Sequence, residues 1–142
     1  MMNTLERRLC QPGILLFLFG LLLGFAVPLI PNKQLILGAH ETALQGGTFL
    51  IAMGLLWPKL SLSPRWTSLL AHLLWISFFV LESGLTLGAA LGGDAAAGVA
   101  RSLVAALNAG GAILMLATIL ALIPALKRSG VASQASKEQS LA

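Results

Sequence analysis

An all-α integral membrane protein is the fold expected of this chain: a four-helix bundle, up-down-up-down, with both termini cytoplasmic. Three observations lead there. Of 142 residues, 57% are hydrophobic and only 10% charged, against about 45–50% and about 25% in soluble domains. The apolar residues gather into four runs of roughly the 20 residues that cross a bilayer as a helix. The charges sit at the ends of those runs, where membrane topology signals belong. A soluble domain this short has too much surface for so few charges, and disorder needs low hydrophobicity. One cysteine, Cys10, excludes a disulfide scaffold. The net charge of +4 forms no basic stripe with interleaved aromatics, so no nucleic-acid partner is expected.

The first span is read over about 13–30 and holds no charge until it closes at Pro28 and Pro31, since proline cannot continue an intact helix. The second runs over about 35–57 and leaves through Trp57-Pro58-Lys59. Ser63-Pro64-Arg65-Trp66 opens the third, about 66–91, with Pro64 in a first helical turn. Gly92-Gly93-Asp94 is a short turn. The fourth covers about 99–126 and ends at Lys127-Arg128, where cations suit a helix C-terminus. Residues 1–128 form the membrane domain, and 129–142 are read as a polar, mobile tail. All four spans are helices because lipid offers no partner to open backbone groups. Short connections make consecutive helices antiparallel neighbours. The first run is read as a retained span rather than a cleaved signal, because no small-x-small site follows it.

Orientation follows from the basic residues. Arg7, Arg8, Lys59, Arg65, Lys127, Arg128 and Lys137 fall on one side, and Lys33 and Arg101 on the other. The positive-inside rule places the first group, and both termini, in the cytoplasm of a cell whose inner membrane holds the chain. Trp57 and Trp66 fall at that inner boundary.

Ionisable residues inside spans are costly and mark function by default. At about 1.5 Å per residue, His40 lies roughly 8 Å below the outer end of its span and Gln45 roughly 15 Å. Glu82 and Asn108 each lie roughly 13 Å deep, and Ser83 roughly 12 Å. Three helices thus place His40, Glu41, Gln45, Glu82, Ser83 and Asn108 in the same outer half. The alternative is structural: Glu82 and Asn108 hydrogen-bond each other and join two helices. His72 lies apart in the inner half and is read as a packing histidine. Ala43, Gly47 and Gly54 share the face of His40, which leaves room for a flat group such as a haem with His40 as axial ligand, or for close helix packing. Gly20-x-x-x-Gly24 and Gly84-x-x-x-Gly88 also read as packing motifs, within or between subunits. No Cys-x-x-Cys, His-Glu-x-x-His or phosphate loop is present.

The stretch from Gly38-Ala39-His40-Glu41 through Gln45-Gly46-Gly47-Thr48 to Trp57-Pro58-Lys59-Leu60, with Glu6-Arg7-Arg8 and Pro12-Gly13-Ile14-Leu15, resembles the hydroxylaminobenzene mutase family. More distantly, it resembles styrene oxide isomerase. The resemblance implies a four-span membrane enzyme that rearranges a lipophilic aromatic, an arylhydroxylamine or an aryl epoxide, without net redox change. It further implies a trimer with haem b, His40 as the iron ligand, and ferric iron as Lewis acid. Gly46 stands where the family commonly carries asparagine, and the chain has no tyrosine to match the isomerase's.

The expected function is therefore a membrane isomerase and homo-oligomer. Glu82, Asn108 and Gln45 are its candidate catalytic residues; His40, Ala43 and Gly47 hold the haem, and His40 ligates the metal. The substrate enters from the lipid bilayer. A non-catalytic membrane protein of the same fold is the alternative. A small transporter ranks last, because the inner half offers no continuous polar path beyond His72.

Overall fold

The computed structural model describes residues 4–30, 32–60, 62–92 and 98–139, with side chains between Glu6 and Ala125. Four helices follow one another: α1 (Thr4–Ala26), α2 (Lys33–Leu56), α3 (Pro64–Ala90) and α4 (Val99–Gln139). Short 3-10 turns at Val27–Leu29 and Trp57–Lys59 close α1 and α2. The two prolines read as terminators, Pro28 and Pro58, sit inside these turns. Pro64 opens α3 as expected. Leu91 follows α3, and Gly92 turns the chain with φ +80, a left-handed conformation that glycine adopts without a Cβ clash. Gly93, Asp94 and Pro31 lie outside the described residues.

Two boundaries differ from the expected ones. The first helix starts at Thr4 and carries Pro12 inside it; the proline removes only one backbone donor, and the helix continues on both sides. At the other end, Lys127-Arg128 does not stop α4, which runs on to Gln139. The segment after Arg128 contains no proline, and its alanines and glutamines, with Lys137 and Glu138, favour helix. A signal the apolar pattern did not carry is Asn32, whose side chain accepts a hydrogen bond from the Leu35 N–H at 3.2 Å and caps α2.

Three stretches are long and apolar enough to cross a membrane: Glu6–Leu29, Pro64–Ala90 and Val99–Ala125. The helix of the second expected span is not among them. α2 has 24 residues, but His40, Glu41, Thr42, Gln45 and Thr48 in its first two-thirds keep it out of that set.

Packing accounts for this. Antiparallel α1 and α2 form the most extensive seam, α3 and α4 the next, and α2 lies against α3 with a smaller α1–α3 contact. The helices α1, α2 and α3 share a core of Leu9, Leu16, Leu50, Trp57 and Leu74, and a second cluster holds Leu23, Ile36, Ala39 and Ala89. α4 leans chiefly on α3, leaving Ile113, Leu116 and Leu120 exposed. In lipid, apolar surface gives helices no reason to associate, so contact depends on close backbone approach. A Cβ at Gly47 would stand 2.6 Å from the Phe17 nitrogen, and one at Gly111 2.6 Å from the Leu81 nitrogen. The Gly20/Gly24 and Gly84/Gly88 pairs serve these intramolecular seams: Gly20 meets Ala43 and Leu44, Gly24 meets His40, and Gly84 meets Leu107 and Asn108.

Candidate functional site

The polar residues expected to cluster occupy three different places. His40 lies in the α1–α2 seam. Its Nδ1 hydrogen-bonds the Gly20 carbonyl at 2.7 Å, and its ring rests against Gly24, where a Cβ would come within 2.9 Å of Cε1. A carbonyl can only accept, so Nδ1 carries the hydrogen and Nε2 keeps its lone pair in the neutral ring. Among the described residues Nε2 has no hydrogen-bond partner. That is the tautomer an imidazole needs to ligate a metal.

The flat face read beside His40 is filled. Ala43 is fully buried, and Gly47 lies against the backbone of Gly13 and Phe17. These residues close the helix seam, so the room expected for a planar cofactor over Ala43 and Gly47 is occupied by α1. The donor chemistry at His40 fits a haem iron, while the face over Ala43 and Gly47 is closed by α1. Among the described residues no group of three or more His, Cys, Asp or Glu side chains converges.

Glu82 lies elsewhere. It is 3% exposed and lines a groove of about 400 Å³ between α1 and α3, together with Leu16, Phe19, Phe79, Thr86 and Leu87. Thr86, one turn on, donates its hydroxyl hydrogen to Glu82 Oε1 at 3.2 Å. Oε2 is buried without a hydrogen-bond partner. A carboxyl half satisfied in an apolar setting is costly to keep, and the residue borders a space in the volume range of ligand pockets, about 300–1,000 Å³. Sequence reasoning singled out Glu82 and Ser83 but not Thr86, Phe19 or Phe79; the i, i+4 spacing of Glu82 and Thr86 was the available signal.

Asn108 does not join Glu82. Its Oδ1 packs against Gly84, is buried, and has no partner. It lines a different cavity with Gln34, Gly88 and Arg101. The Glu82–Asn108 bond of the structural alternative is therefore not made, because Gly84 draws Asn108 to a seam two residues further along α3. Gln45 and Glu41 are exposed; Gln45 borders a groove with Thr42, Phe49, Phe78 and Met115. At Gly46 a Cβ would meet the Phe78 ring at 2.6 Å, so that ring fills the space a larger residue would take. Gln45, Glu82 and Asn108 thus do not converge within one chain. His72 is half buried, with Nδ1 on the Ser68 carbonyl at 2.7 Å and Trp75 beside it at a ring separation of 6.4 Å.

Known proteins share this sequence in part. The hydroxylaminobenzene mutase HabB of Ectopseudomonas oleovorans is 52% identical over 58 residues, 41% of this chain and 35% of that protein. The hydroxylaminobenzene mutase HabA of the same organism is 37% identical over 62 residues, 44% of this chain and 46% of that protein. The chain therefore matches under half the length of these curated relatives. No solved structure matches it. The sequence profile of the styrene oxide isomerase family covers residues 5–127, through all four helices, and the chain belongs to that family.

Proposed function

We propose that the protein is a membrane isomerase that rearranges a small lipophilic aromatic, an arylhydroxylamine or an aryl epoxide, held in the groove at Glu82. The observation that carries this reading is the buried Glu82 carboxyl beside an apolar groove, its Oε2 without a partner among the described residues. Family membership and the mutase activity of the relatives support the reaction type. Leu16, Phe19, Phe79 and Leu87 suit an aromatic ring. Thr86 holds Oε1, and the Glu82 carboxyl would lend a proton to the substrate oxygen as its N–O or benzylic C–O bond breaks, and recover one when that oxygen bonds to the ring of the hydroxylamine or when a hydride shift leaves it as the aldehyde carbonyl of the epoxide. An isomerisation needs no net proton, electron or water. The apolar wall keeps water from intercepting the intermediate.

His40 would hold a haem b, through Nε2, in an assembly of several copies, a trimer on the family resemblance. Bound there, its iron would supply Lewis acidity toward an epoxide or N–O oxygen. The proposed setting is the cytoplasmic membrane, with the basic ends of the helices and both termini inside.

Purified protein in liposomes, offered phenylhydroxylamine and styrene oxide separately, tests the reading. Chromatography should show a product of unchanged mass from at least one of them. Glu82→Gln should lower its rate about 100-fold or more, the range of a lost general acid or base. Folded protein that turns over neither compound, or a Glu82→Gln variant at full rate, would refute it.

A further inference from the structure

The starts of α1 and α3 lie at the same end of the molecule, and one contact ties them there. Arg8 donates a guanidinium hydrogen to the Ser68 hydroxyl at 3.4 Å. That bond uses one of five N–H donors on an exposed side chain. Its acceptor is neutral, so the charge of Arg8 stays unbalanced. Arg65 stands one turn before Ser68 on the same face of α3, exposed and without a bonded partner among the described residues. Ser68 accepts from Arg8 and lends its carbonyl to His72, and its own hydroxyl hydrogen has no acceptor among the described residues. Two guanidinium groups and a hydroxyl hydrogen, all donors, thus gather at one exposed spot.

The acids point elsewhere. Glu6 precedes Arg8 by two residues, about 200° round α1, and lies one turn before Cys10, whose Sγ packs against Gly54 of α2. Glu41 and Glu82, the other acids with described side chains, lie in the far halves of their helices. Donors without an acceptor call for an anion, and their position says which. Arg8 is the third residue of the stretch Glu6–Leu29 and Arg65 the second of Pro64–Ala90, both apolar enough to cross a membrane. The first turn of such a span lies in the headgroup region. Trp66, 56% exposed beside Arg65, is of the residue type that collects at that level.

We propose that Arg8, Ser68 and Arg65 clamp the phosphate of an anionic phospholipid, which bridges α1 and α3. A phosphodiester offers an oxygen to each arginine, and the planar guanidinium fork suits it. A zwitterionic lipid carries its own cation beside the phosphate, which competes with the arginines. α1 and α3 share only a small contact, so the lipid ties the two helices where packing gives least. The Glu82 groove lies in the same seam, roughly 21 Å further along α3, and the clamp holds whether or not that groove is catalytic.

Native mass spectrometry of the full chain in detergent tests it, with phosphatidylglycerol, phosphatidylcholine or glycerol phosphate added one at a time. The expected result is an adduct with phosphatidylglycerol and none with the other two. Arg8→Gln and Arg65→Gln should each retain about tenfold less of it, the loss of a hydrogen bond to a charged group. Arg7→Gln, about 100° round α1 from Arg8, and Lys33→Gln, at the start of α2, remove the same charge away from Ser68 and should stay near wild type. Arg65 has no bonded partner among the described residues, so its variant decides the matter if Arg8→Gln does not fold. Equal retention by wild type and Arg65→Gln, an equal loss in Arg7→Gln and Arg65→Gln, equal retention of the two lipids, or no adduct with phosphatidylglycerol overturns the proposal. So does a glycerol phosphate adduct as strong as that of the lipid, which would make this a site for soluble phosphates.

Discussion

Along α1 and α2, a polar side chain is seated: His40 has one ring nitrogen fixed on the Gly20 carbonyl, and glycines bring the two backbones into contact around it. Along α3, Glu82 is left half satisfied beside a groove, with Thr86 on one oxygen and, among the described residues, no partner on the other. The two helix pairs have the same raw material, small residues at four-residue spacing and an ionisable side chain among them. In the first pair the small residues lie directly under the polar residue and close the seam. In the second, Gly84 and Gly88 lie on the α4 side of α3 while Glu82 lies toward α1. The close approach therefore occurs where Glu82 is not, and a space remains where it is. Rotational position around the helix, not residue type, separates a seated group from an available one.

Breaking the tight seam should give the largest effect. Gly47→Leu forces a side chain into the Phe17 backbone, and overpacking that cannot relax costs about 3 kcal/mol or more. Unfolding in mixed detergent should show that loss, and a variant as stable as wild type would mean that α1 is not held there. On the other side of the comparison, Glu82→Leu should raise stability by about 1–3 kcal/mol, since it removes an unsatisfied buried polar group from an apolar wall, while abolishing turnover. Stability and activity would then move in opposite directions at one residue. A destabilised Glu82→Leu would instead make the carboxyl a structural bond.

A finer measurement concerns the metal donor. With haem supplied during expression, His40→Ala should remove any Soret band from the purified protein, and His72→Ala should leave it. A band unchanged in His40→Ala would take the iron ligand away from α2. The smallest effect is expected at Thr86→Val. Losing one neutral hydrogen bond to Oε1 is worth about 1 kcal/mol, so kcat should fall roughly fivefold with little change in stability.

Much of this arrangement can be read from the residues alone. Pro28, Pro58, Pro64 and Gly92 mark breaks because their backbone chemistry is local. Helix depth is also local, since it is a count of residues, and it places His40, Glu82 and Asn108 in the same half of their helices. Facing is not. Whether Glu82 meets Asn108, Thr86 or open space depends on which neighbour each helix buries, and a uniformly apolar helix shows too little periodicity to reveal that. Ala43 and Gly47 illustrate the ambiguity: small residues invite a ligand or a backbone equally well, and here α1 is the occupant. The run of α4 past Lys127-Arg128 was hidden for another reason. Hydropathy reports where the apolar stretch ends, and a polar segment without proline can continue a helix beyond it.

The polarity of α2 has a consequence for how the chain enters a membrane. α1, α3 and the first part of α4 are apolar enough to partition on their own. If α2 crosses with them, it carries His40, Glu41 and Gln45 into lipid at a cost its leucines do not clearly offset. Its buried stripe of Ala39, Ala43, Gly46 and Gly47 has a ready shelter in α1 and α3. α2 is thus a poor independent passenger and a good second half of a hairpin. Biogenesis would release it into the bilayer together with α1, and weakening the α1–α2 seam would show first as failed insertion of α2, before any loss of chemistry at the groove.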